Sequence, residues 1–256
     1  GTTDTSGSDV IDGSVNENGV ATLTSVDNLD GGLGNDIIVG GLAGGNIAPT
    51  LRNIESGEFI TSAATTFDLV NTTGLTAIKM RNSTNTLTVA NIPGTSGTTY
   101  TIQDQAADFT LNFANTALAG ASTFSLALSG AQSDGTGGAI ATINQQAGTD
   151  VSGLETLTIS SGGSNTNFLD AIVVQNAAAA STLTSLSVSG AQGLTVANAV
   201  NATVRTVDAS QMTGTVGLTL PMGATAAATV TGSSGADTFT LAANAGDSSI
   251  TAGAEI

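Results

Sequence analysis

Apolar residues at every second position, separated by Thr and Ser, recur along this chain: Leu126 and Leu128, Leu157 and Ile159, Leu186 and Val188, Leu194 and Val196, then Val216, Leu218 and Leu220. A period of two puts alternate side chains on opposite faces of an extended backbone. Each stretch therefore predicts a strand with one buried face and one hydrated, Thr-lined face. Gly and Asn mark the turns between them. The only helix candidate is residues 170–182, because of the tetrad Ala177 to Ala180, and there Ile172-Val173-Val174 favours a strand. The expectation is an all-β chain with almost no helix.

With three Pro, one Tyr, no Trp and 3% aromatic residues, the core must be thin layers of small and β-branched side chains. A sheet or solenoid suits such a core and a helical bundle does not. At 40% apolar residues the chain is too hydrophobic for an acidic disordered segment. The expected architecture is an elongated β-solenoid, like a parallel β-helix or β-roll, with tandem antiparallel β-sandwiches as the alternative, since both produce the same alternation.

Missing residue types exclude whole chemistries. Without His or Cys there is no imidazole base, no thiolate nucleophile and no ordinary zinc or haem ligation. Oxygen ligands remain, and these select hard cations, among which Ca2+ accepts irregular sites built partly from backbone carbonyls. Four Lys and Arg against 20 Asp and Glu give 4 − 20 = −16, so nucleic acid is not an expected partner. No apolar run approaches the roughly 18 residues of a spanning helix, so membrane insertion is not expected. The chain opens at Gly1 without Met and stops in mid-pattern at Glu255-Ile256, as expected of a piece of something longer.

Seven acids, Asp4, Asp9, Asp12, Glu17, Asp27, Asp30 and Asp36, precede the first cation, Arg52. Such a segment repels itself unless hydration or a bound cation offsets the charge. Within it, Gly31-Gly32-Leu33-Gly34-Asn35-Asp36-Ile37-Ile38-Val39 fits the glycine-rich nonapeptide of calcium-binding β-rolls, in which glycines turn carbonyls toward the ion and the Asp adds a carboxylate. Gly7-Ser8-Asp9-Val10-Ile11-Asp12-Gly13 is a partial copy in the same phase. Gly232-Ser233-Ser234-Gly235-Ala236-Asp237 is another, followed by Gly246-Asp247. One turn makes half a site and neighbouring turns complete it. Asp9 and Asp36 are 36 − 9 = 27 residues apart, beyond the 18 of two nonapeptides, so residues 14–24 are expected to form an irregular coil. The candidate metal ligands are Asp9, Asp12, Asp30, Gly32, Gly34, Asp36, Asp237 and Asp247.

Between these ends a four-residue pattern of apolar, two polar and apolar residues opens strands at Leu51 to Ile54, Leu75 to Ile78, Leu154 to Leu157, Leu183 to Leu186 and Val204 to Val207. The intervals vary and Thr replaces a helical return leg, so this is not a leucine-rich repeat. Residues 86–91 and 193–198 repeat as T/G-Leu-Thr-Val-Ala-Asn. The organisation read from these signals is a calcium-binding segment over 1–47, a Thr-rich repeat body over 48–231 and the start of a second calcium-binding segment over 232–256.

The residues Gly7-Ser8-Asp9, Leu29-Asp30-Gly31-Gly32-Leu33-Gly34-Asn35-Asp36, Leu51-Arg52-Asn53-Ile54-Glu55 and Thr206-Val207-Asp208-Ala209-Ser210 together resemble the repeat-rich bacterial surface proteins with RTX-type calcium motifs, Gram-negative S-layer proteins and giant adhesins among them. That resemblance implies export by a type I system, folding on meeting extracellular Ca2+, and self-assembly with neighbouring copies on the cell surface, with surface polysaccharide as a further partner. The chain departs from the pattern in holding one complete nonapeptide rather than a tandem run.

The alternative from another class is a polysaccharide-acting β-helix enzyme, a lyase or glycosidase, and it is not the expected one. Asp104, Asp108, Asp134, Asp150 and Asp170 form no motif, and Lys79 with Arg81, on one face of a strand, is the sole close cationic pair. A carbohydrate- or ice-binding face built from threonines such as Thr86, Thr88, Thr156 and Thr158 is the third possibility, less favoured because Thr is abundant throughout and no strict T-x-T repeat is expected at one coil position.

Overall fold

The computed structural model describes residues 7–18, 20–115, 117–118, 122–132, 138–145, 153–223, 226–242, 248–251 and 253. Alternation resolves into twenty strands. The first seven are β1 (Val10–Gly13), β2 (Asn28–Asp30), β3 (Ile37–Ile47), β4 (Thr50–Arg52), β5 (Ser56–Asp68), β6 (Ala77–Arg81) and β7 (Leu87–Ile92). Then come β8 (Thr99–Gln103), β9 (Phe109–Phe113), β10 (Ser122–Ser129), β11 (Ala139–Gln145), β12 (Leu154–Gly162), β13 (Asn167–Gln175) and β14 (Ser185–Gly190). The last are β15 (Leu194–Val196), β16 (Thr206–Met212), β17 (Val216–Met222), β18 (Thr229–Thr231), β19 (Ala236–Leu241) and β20 (Ser249–Thr251). A 3-10 turn at Leu69–Asn71 is the only helical element among the described residues. The helix candidate at 170–182 begins instead inside β13, as its β-branched run demands.

Every strand pairing among the described residues is parallel, which excludes the antiparallel sandwiches. Strands pair with the strand one coil away, which is the chain neighbour only for β5 and β6, because β5 spans both faces. Face one stacks β1, the first half of β3, the first half of β5, then β6, β8, β10, β12, β14, β16, β18 and β20. Face two stacks the second halves of β3 and β5, then β7, β9, β11, β13, β15, β17 and β19. β2 and β4 form a short third side. The fold is a parallel β-solenoid. β3 and β5 run through the corner between the two faces, with a register shift at Leu42 and Ala43, which joins eighteen strands into one sheet.

Inward residues line up in columns, one per rung. Phe124, Leu157, Leu186, Val207 and Val230 form one, and Ile78, Tyr100, Leu126, Ile159 and Val188 another; all are buried. Full burial of each aliphatic side chain contributes roughly 1.5–3 kcal/mol, so these columns are the main source of stability. Three of the four-residue openings thus share a column through Leu157, Leu186 and Val207, Ile78 belongs to the neighbouring one, and Leu51 to Ile54 lies earlier in its coil, on the third side. Phe59 fits its narrow layer because Gly40, one rung below, and Gly57, two residues earlier, leave room for the ring; a methyl on either would come within 2.8 Å and 2.7 Å of it. The coils of β6, β8, β10 and β12 leave face one through a left-handed corner, with φ of 46° at Asn82, 48° at Asp104, 77° at Gly130 and 89° at Gly163. These are the residue types that tolerate that geometry.

Residues 14–27 hold no strand among those described, the irregular coil expected there. The boundaries read at 47 and 231 fall at the ends of β3 and β18.

Outward, the register does what the chain spacing hides. Thr123, Thr156, Ser185, Thr206, Thr229 and Ser249 stack in one column of face one, and Ser125, Thr158, Ser187, Asp208, Thr231 and Thr251 in the next. On face two, Thr66, Thr88, Thr110 and Thr142 stack likewise. Varying coil lengths conceal this regularity in the linear sequence.

Candidate functional site

Val10 pairs with Ile37 and Ile37 with Ser56, so Asp9, Asp36 and Glu55 occupy one coil position on three successive rungs, each just ahead of its face-one strand. The two motif copies at 7–13 and 31–39 are therefore neighbouring turns, as a completed site requires. Asp36 is fully buried. Its Oδ1 accepts the backbone N–H of Asp9 at 2.7 Å, and its own N–H donates to Glu55 Oε2 at 2.7 Å. Its carbonyl receives the N–H groups of Glu55 and Ser56, and Asn35 N–H donates to Ser8 Oγ at 3.0 Å. Carboxylates thus act as rung staples here, each taking the amide of the residue one coil below.

Asp36 Oδ2 is different, for it is buried without a hydrogen-bond donor. Gly31 closes over it so tightly that a methyl there would lie 2.7 Å from Asp36 Oδ2 and 2.0 Å from the Asn53 carbonyl oxygen. Two acceptor oxygens face the same small space. A buried anionic oxygen without a donor is costly, and a cation is the group that reverses the cost. Gly32 and Gly34, with φ of 88° and 126°, supply the left-handed turn that glycine permits. Asn53 at φ 49° turns the next coil alongside. Among the described residues no three carboxylates converge, so a cation held by Asp36 would complete its shell with carbonyl oxygens and water, a set Ca2+ accepts.

The other candidate ligands are placed elsewhere. Asp12 Oδ1 accepts Ser14 N–H in a two-residue side-chain turn at the exposed end of β1, and these hydrogen bonds from Ser14 hold its carboxyl below the ordinary range. Asp30, on the third side, accepts from Gly32 N–H at 3.1 Å and Asn53 Nδ2 at 2.8 Å. Asp237 is the second residue of β19, on face two, rather than a residue just ahead of a face-one strand. Its Oδ1 takes Leu218 N–H at 2.7 Å and Ser233 Oγ at 2.8 Å, and its Oδ2 takes Ser233 N–H at 2.7 Å. Asp247 lies outside the described residues, as do Asp134 and Asp150.

Lys79 and Arg81 do share one face of β6, and both meet Glu58 of β5: Lys79 Nζ lies 2.8 Å from Oε1 and Arg81 Nε 2.9 Å from Oε2. The Lys79 hydrogen bond, with the charges of both cations, draws the Glu58 carboxyl below its ordinary value despite some burial. A closed ion triad of this kind has no uncommitted base. Asp108 Oδ1 accepts Ile140 N–H from the rung above, another staple.

Sequence reading missed Glu55, Asn53, Ser8 and Ser233 as site residues. Glu55 carried a usable signal, a carboxylate directly ahead of an alternating stretch, as at Asp9 and Asp36; the role of Asn53 depends on its carbonyl direction, which composition does not encode.

Fold and site together define a parallel β-solenoid with rungs tied by carboxylates, among them the buried Asp36. Comparison with protein-family models, curated proteins and solved structures gives no match. No helix among the described residues is long and apolar enough to cross a membrane.

Proposed function

We propose that this chain is a structural segment of a bacterial cell-surface assembly, an S-layer, adhesin or surface filament, that completes its folding outside the cell when Ca2+ engages Asp36. The observation that carries this reading is the buried Asp36 Oδ2, without a donor, at the junction of the first three rungs. A cation bound only when β1, β3 and the turn at 31–36 are together stabilises the native state by mass action. The sheet also supports assembly: β1 and β20 each pair on one side only among the described residues, and a parallel stack extends by adding rungs from a neighbouring copy or repeat. Ca2+ would supply charge neutralisation and a flexible shell of oxygen coordination; the chain supplies the carboxylate, the glycine turn and the carbonyls.

The test is thermal melting with calcium and with chelator, alongside electron microscopy of the assembled protein in both conditions. A higher melting temperature and a regular sheet or filament only with calcium are expected. Identical melting and no ordered assembly in either condition would overturn the reading.

A second reading, a carbohydrate- or ice-binding surface, is favoured by the paired columns of face one, all hydroxyl-bearing but for Asp208, spaced about 4.8 Å between rungs and about 6.7 Å along the strand. Thermal hysteresis, or retention on an insoluble polysaccharide, lost on replacing Thr156 and Thr158 by lysine would support it; absence of both in the parent protein would dismiss it.

A further inference from the structure

The two glycine motifs that look alike in sequence are built differently. Aligned residue by residue, Gly31-Gly32-Leu33-Gly34-Asn35-Asp36 corresponds to Gly232-Ser233-Ser234-Gly235-Ala236-Asp237, so Ser233 stands where the first copy has Gly32. In the first copy Gly32 and Gly34 are left-handed; in the second their counterparts Ser233 and Gly235 are not. Ser233 is buried, and it donates twice to Asp237, through its N–H and its hydroxyl. The hydroxyl's one proton goes to Asp237 Oδ1 at 2.8 Å rather than to the Gly235 carbonyl at 3.4 Å, while its lone pair accepts Gly235 N–H at 3.0 Å. With Leu218 N–H, the carboxylate has three donors, two on Oδ1 and one on Oδ2.

The backbone closes what space remains. A methyl on Gly217 would lie 2.2 Å from Asp237 Oδ1 and one on Gly232 2.5 Å from Oδ2, so main chain covers the carboxylate from both sides. A carboxylate accepting two or three N–H or O–H bonds is stable as an anion without a metal. The contrast with Asp36, whose second oxygen has no donor, is complete.

We propose that the C-terminal copy is a metal-free clasp: Ser233 does the work a cation does in the first copy, and Asp237 ties β19 to β17 whether or not calcium is present. Only the contrast with Asp36 rests on the calcium reading; the clasp stands on its own donors. Calcium therefore acts at one end of this chain, the coil that holds Asp9 and Asp36, and the Asp237 rung is permanently locked.

Hydrogen exchange on the full chain tests this with two sets of amides. In chelator, Leu218 and Ser233 amides keep the protection they have in calcium, and Asp237→Asn binds as many Ca2+ ions as the parent by calorimetry. Ser233→Ala lowers Leu218 protection about tenfold in both media. Loss of Leu218 or Ser233 protection on chelation of the parent protein, or one ion fewer in Asp237→Asn, overturns the clasp. The Asp9 amide reports separately on Asp36: if its protection is also indifferent to chelator, the calcium reading fails and the clasp remains.

Discussion

Asp36 Oδ1 accepts the Asp9 amide at 2.7 Å, joining residues 27 apart in sequence and one rung apart in space. The same carboxylate leaves its second oxygen buried without a donor. Replacing it by asparagine keeps the staple and removes the buried charge. In chelator Asp36→Asn is expected to be as stable as the parent or more so, by up to about 2 kcal/mol, and to show no response to added calcium. Denaturant titrations of both proteins with and without calcium measure this; a variant that still gains stability from calcium places the ion elsewhere.

Phe59 and Gly40 make a packing pair whose fit is set by a missing methyl. Gly40→Ala should destabilise the chain by about 1–3 kcal/mol through overpacking of the ring, which also contacts Phe67 at 4.5 Å between centroids. Adding Phe59→Leu should recover part of that loss. A double-mutant cycle with no coupling would mean that the alanine is absorbed by backbone movement.

Glu58 contributes a pH-dependent increment. Its folded pKa is depressed, so the contribution is present above the ordinary glutamate value and is lost as pH falls through the lower folded value. The three side chains are 22–32% exposed, so screening keeps the effect near 0.5 kcal/mol and salt lowers it further. Glu58→Gln should flatten that part of the stability profile; an unchanged slope would show that the triad contributes nothing net.

Asn167 is fully buried at the start of β13, donating to Ser161 Oγ and the Gly162 carbonyl and accepting Ala131 N–H. Removing it leaves one acceptor pair and one amide without partners inside the coil. Asn167→Ala should cost roughly 3 kcal/mol in denaturant unfolding, well above Asn198→Ala, whose side chain makes one exposed bond to the Asp170 carbonyl.

Alternation made the strands and inward residues of this fold legible, because a period of two survives any change in coil length. Rung order was not legible. Successive coils differ from 56 − 37 = 19 to 157 − 124 = 33 residues, and the extra length sits in corners where Gly, Asn and Ser give no fixed count. The phase of Asp9 with Asp36 was readable because both precede the same apolar pair. The placing of Asp237 on the other face was not, since both copies keep the same G-x-x-G-x-D frame and only stacking assigns a corner. The Thr ladders were hidden for the same reason, and Glu55 lay outside the nonapeptide altogether.

Because hydrogen bonds between rungs run along the stacking direction, a pull on the two ends loads the rung interfaces in series, and the weakest opens first. Each coil that detaches then releases 19 to 33 residues of slack, roughly 60–110 Å of extended chain. β3 and β5, continuous through their corner, hold their interface over ten paired positions, whereas β18 and β20 share three. The molecule is in this sense a graded shock absorber: it lengthens coil by coil from its short-stranded end while the longest interface, next to Asp36, is the last to part.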